Sequence, residues 1–108
     1  MQIHIKATKL ALTPALRDYC QKKMDMLDKY LGNRVSVSNC DLEIEKCVGN
    51  QNKGEIFRAE VNLSVPREVL RVEKTEKDLY KAIDKVKAHL ELVIKKYKEK
   101  LIARQRRR

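Results

Sequence analysis

Lys81, Lys85, His89, Lys96 and Lys100 follow one another at intervals of four and seven residues, and a helix turning about 100° per residue sets them along one flank. The chain then runs on through Arg104, Arg106, Arg107 and Arg108. Ammonium and guanidinium groups in such a row do one kind of chemistry well, which is to neutralise the charges of a polyanion. Lysines on an exposed helix face often do no more than keep it solvated, and Lys81, Lys85 and Lys95 have Asp84 and Glu91 nearby as helical partners. From Lys95 onward that reading weakens. Lys95, Lys96, Lys98, Lys100 and the arginines are opposed only by Glu99, far more cation than the end of a helix dipole calls for.

Other chemistries find little material. His4 and His89 stand on separate elements, and no Cys, His, Asp or Glu cluster has metal-ligand spacing. The only glycines are Gly32, Gly49 and Gly54, so there is no phosphate-cradling loop. We expect no enzyme activity, no metal and no cofactor. Cys20, Cys40 and Cys47 are odd in number and lack paired spacing, and are expected to be reduced and partly buried.

The basic flank needs a scaffold, and the periodicity of the rest supplies one. Ile3, Ile5 and Ala7 alternate with Gln2, His4, Lys6 and Thr8, a strand with one wet face. Thr13-Pro14 starts a helix, and a stripe of Leu16, Cys20, Met24, Leu27 and Leu31 carries it to about Leu31, where Gly32-Asn33 ends it. Arg17, Asp18, Asp25 and Asp28 fall on one flank of this helix; Tyr19, Lys22, Lys23, Met26 and Tyr30 fall on the other. Tyr19 and Tyr30 could stack on bases, but an aromatic at a stripe edge is more often partial core.

Alternation resumes at Val35, yet its phase slips between Val37 and Cys40, so a bulge or the true strand start lies at Ser38-Asn39. The register of Cys40, Leu42 and Ile44 leads through turn residues 49–54 to Phe57, Ala59, Val61, Leu63 and Val65, a hairpin. Pro66-Arg67-Glu68 breaks the pattern, Val69 to Lys74 forms a short fourth strand, and Thr75 with Asp78 resembles a capping box. The long helix then buries Ala82, Ile83, Val86, Leu90, Val93, Ile94, Tyr97 and Leu101. The order β-α-β-β-β-α predicts an α+β two-layer sandwich, a four-stranded sheet with two helices on one face.

The chain has 108 residues, enough for one α+β domain over 1–103 followed by a basic tail over 104–108. Lys and Arg number 25 against 15 Asp and Glu, a net charge of +10, which points to nucleic acid, an anionic membrane surface or an acidic protein. Membrane binding is disfavoured, because the apolar stripe of the long helix is what the sheet needs as cover. No spanning stretch or secretory apolar block is present, and a cytoplasmic protein is expected.

Arg71-Val72-Glu73, Asp78-Leu79-Tyr80-Lys81-Ala82-Ile83-Asp84 and Leu90-Glu91 together resemble the ribosome hibernation promoting factor and ribosome-associated inhibitor family, also called sigma-54 modulation proteins. Met1-Gln2-Ile3, Thr13-Pro14-Ala15-Leu16-Arg17 and Leu27-Asp28-Lys29-Tyr30 are similar to the opening of the same family, so the likeness spans essentially the whole chain in its short form. The resemblance implies a fold like that of a double-stranded RNA-binding domain. It also implies binding to the small (30S) ribosomal subunit and its 16S rRNA in the mRNA and tRNA channel, where occupancy would block initiation. Family members commonly carry Lys-Leu-Glu-Arg-Gln in the long helix, where this chain has His89-Leu90-Glu91-Leu92-Val93. One basic contact becomes a titratable ring and another becomes leucine.

The expected rRNA-binding residues are Lys22, Lys23, Lys29, Lys81, Lys85, His89, Lys96 and Lys100. A monomer off the ribosome is expected, without ribosome pairing unless a second hibernation factor assists. Two other readings stay open: a structured-RNA-binding module with no ribosomal preference, and a protein-interaction module acting through the long helix.

Overall fold

Where apolar and polar residues alternate, the computed structural model, which describes residues 1–48 and 54–106, has strands: β1 (Gln2–Thr8), β2 (Asn39–Val48), β3 (Glu55–Val65) and β4 (Glu68–Glu76). Where the period is helical it has α1 (Pro14–Asp25), a single turn α2 (Asp28–Leu31) and the long α3 (Leu79–Arg106). The sheet order is β1-β2-β3-β4. β1 runs parallel to β2, so the chain must cross between them, and α1 makes that crossing. β2, β3 and β4 follow as antiparallel neighbours. The result is the α+β sandwich that periodicity predicts.

One phase of each strand faces the helices. Cys40, Leu42, Ile44, Ala59, Val61, Leu63, Leu70 and Val72 share one core with Leu16, Cys20, Met24, Leu27 and Leu31 of the first helical segment and with Ala82, Ile83, Val86, Leu90, Ile94 and Tyr97 of α3, all buried. Burial lifts the Cys20 thiol to about 11 and the Cys40 thiol to about 12, so both behave as inert small hydrophobes.

The first helix departs from the single run to Leu31. Leu27 N–H donates to Met24 O and Tyr30 N–H to Leu27 O, both three residues back, at 3.0 Å each. This tightening at Met26 separates α1 from α2, while the buried stripe continues unbroken through Met24, Leu27 and Leu31. Gly32 then takes φ 61°, ψ −130°, a conformation open to a residue without Cβ. The phase slip has a simple origin: Gly32–Val37 form a 3-10 turn, and β2 begins at Asn39.

Helix starts are set by side chains. Thr13 Oγ1 accepts from Leu16 N–H at 3.2 Å with Pro14 in the first turn, as expected. At α3 the capping box gives way to a single cap. Thr75 lies inside β4, opposite Arg58, whereas Asp78 Oδ1 accepts from Tyr80 N–H at 2.9 Å and Lys81 N–H at 3.4 Å. The turn residues 49–53 lie outside the described residues, although the β2–β3 hairpin they join is present.

Pro66 and Arg67 alone connect β3 to β4, because Val65 and Glu68 already pair. Proline in the first place and φ 71° at Arg67 in the second is type II turn geometry, in which glycine is usual at the second place. An arginine there costs roughly 1 kcal/mol relative to glycine.

Candidate nucleic-acid interface

α3 crosses the sheet with two distinguishable flanks beside its buried side. Toward β4, Lys85 lies 2.8 Å from Glu76 and Lys100 lies 3.5 Å from Glu68, so this flank follows the edge strand end to end. His89 and Lys96 occupy the same flank and are exposed. From Lys85 to Lys100 a helix rises about 22 Å. Lys81 and Lys96 have no carboxylate within ion-pair distance among the described residues, and the side chains of Lys85 and Lys100 remain 57% and 61% exposed, so all can reach an outside anion. The Lys85 ammonium holds the Glu76 carboxyl below its usual range.

Toward α1 the charges are spent inside the protein. Lys23 sits 3.2 Å from Asp84 and 5.4 Å from the centre of the Tyr19 ring, with only 24% of its side chain exposed. Tyr19 Oη donates to Asp84 Oδ1 at 2.5 Å, and its ring meets Tyr80 edge-on at 4.8 Å. Burial and this anionic acceptor push the Tyr19 phenol up to about 12. Farther along, Lys98 Nζ donates to Tyr30 O at 2.9 Å and Lys95 lies 5.5 Å above the Tyr30 ring. Tyr19 and Tyr30 therefore act as partial core between the helices, not as free stacking platforms. Lys87 pairs with Glu91 one turn on.

The sequence-predicted residues thus separate into three groups. Lys85, His89, Lys96 and Lys100 line the β4-side flank, with Lys81 exposed beside it. Lys22 and Lys29 are exposed on the first helical segment, the former 3.9 Å from Asp18 and the latter 5.3 Å from the Tyr30 ring. Lys23 alone is drawn inward. Helical spacing had offered Asp84 and Glu91 to Lys81, Lys85 and Lys95, yet the acids that meet these helices across the fold differ. Lys85 finds Glu76 of β4, and Asp84 takes Lys23 of α1. At the positions where the family motif carries basic residues, His89 is exposed and Leu92 is 58% exposed, so the helix keeps the place but not the charge.

On the opposite face of the sheet the central guanidinium is taken up by carboxylates. Arg58 reaches Glu43 at 2.5 Å, Glu45 at 2.8 Å, Glu60 at 3.4 Å and Glu73 at 3.9 Å. That guanidinium holds the Glu43 carboxyl below its usual range, while the surrounding carboxylates raise the arginine's own affinity for its proton. A concavity of about 380 Å³ on this face is lined by Asp41, Glu43 and Glu60 together with His4 and Lys6, the lysine 3.7 Å from Glu43, so its rim carries more acid than base. No helix among the described residues is long and apolar enough to cross a membrane.

Sequence reasoning passed over Arg67. Its position becomes meaningful only once the β3–β4 turn is seen to lie against α3, where Tyr97 Oη donates to Pro66 O at 2.8 Å. A Pro-Arg pair between two alternating runs was the available signal.

Solved structures with this architecture include the N-terminal domain of Thermus thermophilus Protein Y, with TM-score 0.69 and 30% identity over 90% of this chain and 99% of that one. A ribosomal subunit interface protein from Coxiella burnetii gives TM-score 0.73 over 92% of this chain and 99% of that one; at 23% identity this likeness speaks for the fold. In sequence, the ribosome hibernation promotion factor of Deinococcus radiodurans is 30% identical over 99 residues, 91% of this chain and 50% of that protein. That of Lactococcus lactis subsp. cremoris is 31% identical over 106 residues, 94% of this chain and 51% of that protein. The chain spans about half the length of these curated relatives. The family model described as Sigma 54 modulation protein / S30EA ribosomal protein matches residues 3–102, from β1 to the last apolar turn of α3, and the chain belongs to that family.

Proposed function

We propose that this chain is a ribosome-associated translation inhibitor that occupies the mRNA and tRNA channel of the small subunit and holds the ribosome idle. The observation that carries the reading is the β4-side flank of α3. Lys85, Lys96 and Lys100 follow it with Lys81 beside them, in a chain about 30% identical to proteins named as ribosome hibernation promotion factors. Inhibition on this reading is steric. The lysines grip 16S rRNA phosphates, Lys22 and Lys29 extend the basic surface onto the first helical segment, and the sandwich fills the space tRNA and mRNA need. Phosphate contacts position a protein without reading sequence, so the shape of folded rRNA supplies the specificity. Lys23 contributes by its field and by holding α1 to α3, not by direct contact.

Co-sedimentation with purified small subunits, over a range of salt concentrations and with initiator tRNA and mRNA as competitors, tests the proposal. Saturable one-to-one binding displaced by tRNA is expected. Unsaturable binding lost at moderate salt would reduce the protein to a general binder of structured RNA.

A further inference from the structure

At the end of the sandwich remote from the start of α3, the helix outruns the sheet. Tyr97 is its last buried residue, Leu101 is half-buried, and Ile102 to Arg106 are exposed. The β3–β4 turn abuts this overhang, and Arg67, Leu101, Arg104 and Gln105 line a solvent-open hollow of about 210 Å³. At about 30 Å³ per water molecule this space holds roughly seven, enough for a phosphate group with part of its hydration shell.

We propose that Arg67 and Arg104 form a two-guanidinium clamp for a phosphodiester of RNA, a contact separate from the lysine flank. The proposal rests on the RNA-binding reading above. Three features support it. First, Arg67 has φ 71°, a backbone conformation that L residues seldom adopt and that glycine would occupy without strain. Strained residues of this kind persist where surroundings or function hold them. Second, the turn is fixed to the helix. Tyr97 Oη donates to Pro66 O at 2.8 Å and Lys100 bridges to Glu68 at 3.5 Å, so Arg67 is carried on a braced turn beside Arg104. Third, no carboxylate lines the hollow, and neither arginine has an acidic partner within ion-pair distance among the described residues. Glu68, the nearest acid in sequence, is engaged by Lys100. The planar fork of guanidinium matches phosphate oxygens two at a time, and Gln105 adds a neutral donor. The carbonyl end of α3 opposes an anion here, but its half charge is smaller than the two full positive charges facing it.

Arg67→Gly separates function from structure, because relief of the positive φ should raise the melting temperature by a few degrees. The same variant should lose about fivefold in affinity for small subunits, with a salt slope shallower by about one. Arg17→Gln, which removes a single charge elsewhere on the surface, should lose less. Guanidinium Nε–Hε signals of ¹⁵N-labelled protein titrated with a short RNA hairpin give a readout independent of ribosomes. Arg67 and Arg104 should shift on one shared saturation curve, and Arg67→Gly should abolish the Arg104 shift. The clamp is overturned if Arg67→Gly binds subunits as tightly as wild type, or if the Arg104 shift survives that substitution. If wild type fails to bind subunits while the two signals still share one curve, the ribosomal reading falls and the clamp stands.

Discussion

Lys81 and Lys96 stand in solvent on the helical side of the sandwich with no carboxylate partner among the described residues, whereas Arg58 on the open side of the sheet is held by Glu43, Glu45, Glu60 and Glu73. The two regions are built from the same residue types. They differ in what surrounds each charge. Strands bring opposite charges together across the ladder: Glu45 is the register partner of Arg58, and Glu43 and Glu60 pair one step along. Spacing of about four residues on a helix stacks like charges into a row whose field points outward. The charges of the sheet face are largely satisfied by one another, whereas the β4-side flank of α3 keeps Lys81 and Lys96 unpaired among the described residues and Lys85 and Lys100 more than half exposed.

Reversing charge on the helical side tests this division most severely. Lys85→Glu with Lys96→Glu should cost at least about tenfold in small-subunit affinity and flatten its salt dependence, since each lost phosphate contact removes a counterion-release term. Asp41→Lys on the sheet face should leave co-sedimentation unchanged. Equal losses from both would break the comparison.

Arg58→Ala should have the converse signature, a loss of about 2 kcal/mol in urea unfolding with subunit affinity retained, because it leaves four carboxylates facing one another. The same residue carries a pH dependence. Arg58 depresses the Glu43 carboxyl below its ordinary value of 4.5, so the folded state gains stability above that value and loses it as pH falls toward the lower folded value. Acid unfolding of the wild type should therefore steepen below about pH 4.5, and Arg58→Ala should flatten that limb.

The groove between helices sharpens the picture, for its charges are as occupied as those of the sheet. Tyr19→Phe removes the hydrogen bond to Asp84 and should cost about 1 kcal/mol. Because the phenol is raised to about 12 from 10.0, its contribution is intact below pH 10 and is lost as pH rises from 10 toward 12, which ultraviolet titration of the phenolate can follow. The smallest effects concern the start of α3. Asp78→Ala should cost about 0.5–1 kcal/mol in thermal unfolding, and Thr75→Ala less than about half of that, since only Asp78 caps the helix.

Strand and helix identities were legible because period two and period 3.6 leave different marks, and the core stripes of α1 and α3 are buried at the residues those periods select. At Ser38-Asn39 the sequence left a bulge or a strand start open, and the structure gives the strand start; at Thr75 it corrects the expected capping box. Val35 to Val37 have the composition of a strand, yet Gly32 turns the chain into a 3-10 segment first. Thr75-Asp78 has capping-box spacing, yet pairing with β3 keeps Thr75 extended. At Thr75 a neighbour in space overrode a pattern in sequence.

The site divides along the same line. Residue type and helical spacing by themselves determined that a cationic row exists and lies beside the buried stripe, because one turn of helix fixes the angle between side chains. They also determined the sandwich, since amphipathic helices and alternating strands can hide their apolar faces only against each other. Which cations remain free was decided by tertiary structure alone. Lys23 and Asp84, and Arg67 and Arg104, are far apart in the chain, and Lys85 and Glu76 lie nine residues apart on different elements; only packing α3 beside α1, the β3–β4 turn and β4 brings each pair together.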